Sequence, residues 1–531
     1  MKLTPASLLL LAGFASSAIA QPVTAPEIMP QGRGAGRGAS AVPPEEIAKI
    51  TGGKEIPPGP YQPTWESIRA NYKTPEWFLD GKFGIYFHWG LYSVPARQSE
   101  WYVRYMYGGN AGIMRDHIAK YGPLDKFGYK DFIPMFKAEK FNPDDWVALF
   151  KKAGARYMMA MGEHHDGFSM WDSALNKYNA KAMGPKRDLV GELAVAARKQ
   201  GLKFGVSNHS FEHFTFINQR PPGDMKSDLD DPQWADFYSV ADRSQAAHVK
   251  FLDLWVAKNF ELIDKYQVDM LWFDNGQNGR VWDPLKLRVA AYLYNRAAQW
   301  GKQVSISTKS DAYLAGSIRD YERQGRILPR ELKPFPWQVD DPIGSKFGYV
   351  EEIQYKDAAL LVRRLVDCTS MNGNYLLNIS PKADGTIPQE QQDRLLAMGR
   401  WLDVNGDAIY GTRPWTRYGE GPYHDAPAAG ARGADDPPSE AYSGKEIRFT
   451  TKGDALYAIV TDWPGEQAVI TSLASGASSL PAGKIEKVEL LGHSGALAFT
   501  QDAEGLKVKF PAQKPCDFAY ALKITGLKLH P

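Results

Sequence analysis

The chain has 531 residues, 44% hydrophobic and 23% charged, a globular composition long enough for one large domain with accessories. Its 63 Lys and Arg against 61 Asp and Glu leave a net charge of +2, which excludes a broad basic face for nucleic acid. After the first 20 residues no apolar run approaches the roughly 20 needed to cross a bilayer, which excludes a membrane-spanning helix.

Residues 1–20 read as a secretory signal peptide. Lys2 supplies the charge, residues 8–14 the apolar stretch, and Ala18-Ile19-Ala20 the cleavage signature, so the mature protein is expected outside the cytoplasm, secreted or periplasmic. Residues 21–60 are rich in Pro, Gly and Ala and read as a flexible tether. From 61 to 420 short apolar strands alternate with amphipathic helices. Residues 83–88, 157–161, 204–206, 268–273 and 304–307 read as strands, and 187–200 as a helix. In that helix Leu189, Leu193 and Ala197 fall on one face, Arg198 and Lys199 sit in the last turn, and Gly201 stops it. Val249, Leu252, Val256, Phe260 and Ile263 make a longer stripe before the fourth strand. Such alternation implies a parallel sheet with helices outside, and the length suits a (β/α)8 barrel. Residues 421–444 read as a second linker or surface loop. In 445–531 the period changes to two, as in Ile447/Phe449, Val488/Leu490 and Leu506/Val508/Phe510, which predicts a small antiparallel β-sandwich. Cys368 and Cys516 are the two cysteines. An exported chain permits a bridge, but one pair is no disulfide framework, and two thiols are the preferred reading. Aromatic residues at 12% suit a large core or a sugar site.

In a parallel barrel the functional groups collect where strands end. Here those ends carry His88, Glu163-His164-His165-Asp166, Asn208-His209, Asp274-Asn275 and Thr308-Lys309-Ser310. Asp274 closes the apolar strand Trp272-Phe273. A carboxylate so placed can attack carbon, or it can cap the next turn. A retaining glycosidase needs a second carboxyl about 5–5.5 Å away, and Asp320 and Glu322 in Arg319-Asp320-Tyr321-Glu322-Arg323 are the downstream candidates. His209-Ser210-Phe211-Glu212-His213 matches the H-x-x-E-H zinc pattern. That pattern requires a helix, and the β-prone Phe214-Thr215-Phe216-Ile217 argues against one. Neutral histidines donating to sugar hydroxyls explain His164 and His165 as well as metal binding does.

From about 77 to 415 the chain resembles the α-L-fucosidases of glycoside hydrolase family 29. The resemblance rests on the block 82–96 (Lys82-Phe83-Gly84-Ile85-Tyr86-Phe87-His88-Trp89-Gly90 onward), Glu100-Trp101-Tyr102, His164-His165-Asp166-Gly167-Phe168, Trp171-Asp172-Ser173, Leu271-Trp272-Phe273-Asp274, and the blocks 372–381 and 405–412. It implies an exo-acting retaining hydrolase on a (β/α)8-like barrel with a C-terminal β-sandwich. A fucosylated glycan would be the substrate, with no metal and no other cofactor. Asp274 would be the nucleophile, forming a covalent fucosyl-enzyme. Glu322 would be the general acid and then the base. His88, Glu100, His164, His165 and Trp272 match the family's fucose-binding positions. Two departures stand out. The family often has Tyr-Tyr-Ser where this chain has Ser207-Asn208-His209, so Asn208 or His209 stands in for a sugar-contacting tyrosine. It also often has Arg where this chain has Lys309, which keeps the charge without the planar fork. These differences leave open a related sugar such as galactose. A carbohydrate-binding protein without turnover is the alternative of a different class.

Overall fold

The computed structural model describes residues 42–309, 311–322, 331–425 and 441–529. The expected leader, residues 21–41 of the tether, residues 426–440 of the second linker, Ser310 and Arg323 lie outside the described residues.

Eight parallel strands close into a barrel in chain order. They are β1 (Phe83–Phe87), β2 (Tyr157–Glu163), β3 (Lys203–Asn208), β4 (Met270–Phe273), β5 (Ser305–Lys309), β6 (Ser317–Glu322), β7 (Trp337–Pro342) and β8 (Gly373–Ile379). The apolar runs at β1, β2 and β4 are buried throughout, as strands covered on both faces require. Alternate residues point inward, where Tyr86, Tyr157, Met159, Met270, Trp272, Ile318 and Leu376 pack with Phe78. Large inward side chains face glycines. A Cβ on Gly84 would lie 2.4 Å from the Tyr157 ring, and one on Gly205 would lie 2.3 Å from Met159 Sδ. The helix Leu189–Lys199 is capped by Asp188, which accepts from Gly191 N–H, and Gly201 follows it at φ +78. The helix Gln245–Tyr266 buries Leu252, Val256, Phe260 and Ile263, the stripe expected from spacing.

Two expectations are corrected. The tether is not loose as far as residue 60. From Val42 the chain is packed on the barrel: Val42, Ile47 and Ile50 are buried, Asp253 Oδ1 accepts from Thr51 and Gly52 N–H, and Asn295 Nδ2 donates to Pro57 O. The glycine and prolines there serve close packing, since Gly52 lies against Val256 at φ +63. The β-prone Phe214-Thr215-Phe216-Ile217 is largely helical, within His213–Phe216 after the 3-10 turn Ser210–Glu212. The pairing of β3 with β2 and β4 ends at Asn208, so no ladder partner remains beyond it.

The second domain pairs a five-stranded sheet, ordered β13-β16-β11-β10-β9, with a three-stranded one, ordered β12-β15-β14. Their ranges are β9 (Arg413–Glu420), β10 (Ile447–Lys452), β11 (Ala455–Val460), β12 (Gln467–Ile470), β13 (Ala482–Leu490), β14 (Phe499–Asp502), β15 (Gly505–Lys509) and β16 (Tyr520–Lys528). Inward residues such as Phe449, Leu456, Val488, Val508 and Leu522 form its core. β9 precedes the expected boundary, so the sandwich takes its edge strand from the segment that leaves the barrel. Trp401 of the helix Gln389–Asn405 donates to Ala519 O at 2.8 Å. Asp367 of the helix Ala358–Ser370 accepts from Arg448 Nε at 2.8 Å and Tyr442 OH at 2.6 Å. Cys368 is buried, Cys516 is half-buried with Sγ beside Asn405, and both are thiols.

Candidate active site

The strand ends of the barrel bring together most of the residues singled out above. Period two sets which of them point inward. On β4, Trp272 faces the interior, Phe273 the helices, and Asp274 the interior again. Asp274 is 8% exposed, at the barrel mouth. Its Oδ2 lies 3.3 Å from His165 Nε2 and 3.3 Å from His209 Nδ1, and its Oδ1 lies 3.0 Å from Lys309 Nζ. Burial alone would push this carboxyl up, but Lys309, His165 and His209 outweigh it and hold it well below the usual carboxylate range.

Lys309 ends β5 and bridges two carboxylates. Its Nζ lies 2.8 Å from Glu322 Oε2 on β6 as well as 3.0 Å from Asp274 Oδ1, so those two oxygens are at most 5.8 Å apart. Burial would lower the ammonium, but Asp274, Asp340 and Glu322 hold it well above its usual range. Nζ also stands 5.1 Å from the centre of the Trp272 ring.

Four imidazoles line the opposite wall. Ring centres of His88 and His164 are 5.3 Å apart, those of His164 and His165 4.5 Å, and those of His164 and His209 4.7 Å. Backbone and amide partners set the tautomers of His88 and His165. Asn378 Nδ2 donates to Phe347 O, which turns Asn378 Oδ1 toward His88, so His88 donates from Nδ1 and keeps Nε2 as an acceptor. His165 donates from Nδ1 to His209 O at 2.9 Å. Burial, with His209 adding to it, keeps His88 well below its usual range. Burial and the neighbouring imidazoles do the same to His164. His209 is pushed down to about 4 by burial, which outweighs Asp274. His165 is the exception: burial would lower it, but Asp274 and Glu212 hold it raised. His164 Nδ1 and His209 Nε2 are buried without a protein partner among the described residues, two polar atoms turned to a hydroxyl-bearing ligand. Glu100 accepts from Gly348 N–H at 3.0 Å and shares an open cleft with Trp101, Tyr105, Glu322 and Phe347. Burial raises its carboxyl.

Asn208 is not part of this arrangement. It is the outward residue of β3: its Nδ2 donates to Asn259 Oδ1 on the helix Gln245–Tyr266, and its Oδ1 accepts from Ser210 N–H and Oγ–H. His209 is the inward residue at that place, and strand parity counted from Trp272 would have found it. Residues missed altogether are Tyr86, Gln338, Asp340 and Asn378, inward on β1, β7 and β8. Two groups are close enough to hold a metal ion, His88/His164/His209 and His165/His209/Asp274, with ligating atoms within 4.8 Å. His213 is in neither. Its Nδ1 meets His165 O and its Nε2 lies 3.3 Å from Ser239 Oγ, so the H-x-x-E-H spacing does not gather one ligand set.

Comparison with known proteins places the whole chain. Residues 51–407 match the family model described as alpha-L-fucosidase, and 442–525 match the alpha-L-fucosidase C-terminal domain. The chain is 30% identical to the tissue alpha-L-fucosidase of Rattus norvegicus over 88% of this chain and 94% of the relative. It is 32% identical to the plasma alpha-L-fucosidase of Homo sapiens over 88% of this chain and 93% of the relative. Among solved structures, Thermotoga maritima alpha-fucosidase in complex with fucose superposes with a TM-score of 0.69 at 30% identity, covering 88% of this chain and all of that one. With the barrel and the sandwich each matched by its own family model and relatives aligned over 88% of the chain, the chain belongs to the α-L-fucosidase family of glycoside hydrolases.

Proposed function

We propose that the chain is an exo-acting retaining α-L-fucosidase, hydrolysing terminal α-L-fucosyl residues of glycans by double displacement. The observation that carries this reading is the shared ammonium: Asp274 and Glu322 both sit on Lys309, with oxygens at most 5.8 Å apart. That fits the roughly 5–5.5 Å separation of retaining enzymes and is too short for a water between the carboxyls.

In the first step an Asp274 oxygen bonds to the anomeric carbon as the glycosidic C–O bond breaks. The leaving oxygen takes the proton of Glu322. In the second step Glu322, now a carboxylate, takes a proton from water, whose oxygen bonds to the anomeric carbon as the Asp274 ester opens. Both carboxyls return to their starting states. Asp274 is suited to attack because Lys309 and two histidines keep it ionised. His88, His164, His165 and Glu100 serve the sugar hydroxyls. Trp272 and Phe347 offer flat apolar surface to the ring edge and the C6 methyl. Of Asn208 and His209, His209 takes the contact of the missing tyrosine.

Release of nitrophenol from 4-nitrophenyl α-L-fucoside is the direct test. Asp274→Ala is expected to lose at least about a thousandfold in kcat, with azide restoring turnover as the inverted glycosyl azide. Glu322→Ala should lose less on this substrate, whose leaving group needs little protonation. No turnover by folded wild type, or a faster non-fucose member of a nitrophenyl glycoside panel, would overturn the assignment.

From the leader-like residues 1–20 we further propose that the protein is exported. We also propose a catalytic domain beginning near residue 42 and a bracing sandwich beginning at β9.

A further inference from the structure

Beneath the rim the barrel holds two more carboxyls, Asp320 on β6 and Asp340 on β7, that take no part in the two steps above. They are 2% and 0% exposed. Each has one oxygen served by donors. Trp272 Nε1 donates to Asp320 Oδ2 at 2.8 Å and Gln338 Nε2 to the same atom at 2.6 Å, while Tyr86 OH donates to Asp340 Oδ2 at 2.9 Å. Each also has an Oδ1 that receives no hydrogen bond from the N–H and O–H groups of the described residues. The two side chains are within hydrogen-bonding reach of each other. Two buried carboxylates in contact repel, and each orphan oxygen adds its own desolvation cost. One proton on one of them turns the contact into a hydrogen bond and removes both costs.

We infer that Asp320 and Asp340 share a single proton, carried on Asp340, and that this neutral carboxyl is a positioning residue that leaves Lys309 to Asp274 and Glu322. The inference about Lys309 rests on the proposed roles of those two residues; the shared proton itself does not. Asp320 keeps the charge because its Oδ2 accepts two short bonds. Asp340 has one short bond and a 3.5 Å contact to Lys309, the longest of that ammonium's three carboxyl contacts. The charged or titratable groups facing Asp340 are Tyr86 from β1, Lys309 from β5, and Asp320 and Glu322 from β6; β8 pairs Leu376 with it. Burial raises Asp340 well above the usual carboxylate range, with Lys309 opposing and Asp320 and Glu322 adding. An ionised Asp340 would be a third anion on one ammonium, drawing Nζ down into the barrel and away from the nucleophile. Asp320, still charged, fixes the Trp272 indole on which Lys309 stands.

Infrared spectroscopy of the full chain tests this, with Asp340→Asn and Asp320→Asn beside wild type and kcat/KM followed against pH on 4-nitrophenyl α-L-fucoside. Wild type should show a carboxylic-acid carbonyl band that does not titrate between about pH 5 and 8. Asp340→Asn should lose that band, keep both limbs of the profile, and stay within about threefold of wild-type kcat/KM, since the amide is also neutral and also donates to Asp320. Asp320→Asn should lose the band too, because its amide donates to Asp340, which then ionises. Its acid limb should move up, because an Asp340 carboxylate now competes for Lys309 and weakens its hold on Asp274. Absence of the non-titrating band in wild type, survival of that same band in Asp340→Asn, or a limb shift in Asp340→Asn equal to that in Asp320→Asn overturns the inference. If Asp340→Asn does not fold, the wild-type spectrum and Asp320→Asn decide by the same criteria. A band in wild type that is inactive on the fucoside would defeat the proposed function and leave the shared proton standing.

Discussion

At the scale of single residues, the site turns on how one ammonium is divided. Lys309 is the largest influence holding Asp274 down against burial. Replacing it by Met should raise the Asp274 carboxyl, so protonation begins to silence this proposed nucleophile at a higher pH. The acid limb of kcat/KM therefore moves up, and kcat/KM at neutral pH falls about a hundredfold. Lys309→Arg should restore the limb, because the charge returns. A pH profile of Lys309→Met that overlays wild type would show that Asp274 owes its charge to the histidines. Sequence reading found Asp274 because an apolar strand ending in a carboxylate is a visible pattern. Residue type leaves Asn208 and His209 as equal candidates for the missing tyrosine's contact, and strand parity decides, sending Asn208 to Asn259 and His209 to Asp274. Asp340 was illegible, since nothing in Gln338-Val339-Asp340-Asp341 marks which aspartate faces inward. In the fold, Asp341 turns out to Arg364 while Asp340 turns in to Tyr86.

At the scale of elements, β1 to β5 were legible and β6 and β7 were not, for one physical reason. A strand buried on both faces is apolar throughout only where its inward residues pack. On β6 and β7 the inward positions are Asp320, Glu322, Gln338 and Asp340, so the chemistry of the site erases the signal of the strand. The helix Gln245–Tyr266 meets the barrel through another buried charge: Lys258 Nζ lies 2.5 Å from Glu163 Oε1, and Ser169 Oγ donates to Glu163 Oε2 at 2.6 Å. Lys258→Met should cost about 3–5 kcal/mol by leaving Glu163 uncompensated, while adding Glu163→Gln should recover part of it. Thermal unfolding of the two variants measures this. Equal Tm values for Lys258→Met and wild type would mean that water, not Lys258, solvates Glu163. Gly205→Ala should also destabilise, by about 1–3 kcal/mol, because its Cβ would meet Met159 Sδ.

At the scale of the molecule, barrel and sandwich are joined by buried polar contacts as well as apolar ones. Asp367 accepts from Arg448 and Tyr442, and Arg448 also pairs with Glu446 at 3.1 Å. Asp367→Ala leaves Arg448 buried with one partner fewer, so a loss of about 3–5 kcal/mol and a lower Tm are expected, with little change in kcat because Asp367 sits in the helix turn that leads into the start of β8, at the barrel end opposite the strand ends that form the site. With both cysteines as thiols, dithiothreitol should leave Tm unchanged; a drop would reveal a bridge. The change from helical to period-two rhythm announced the sandwich, but β9 was hidden because Arg413-Pro414-Trp415-Thr416-Arg417 carries little alternation. Its place has a practical consequence for anyone trimming the gene. Ending the chain at Thr412 would expose the Trp401 indole and Asp367. Starting a sandwich fragment at residue 441 would strip β10 of β9 and leave an open edge prone to aggregation. A trimmed chain that keeps these contacts therefore has to run from Val42 through β16.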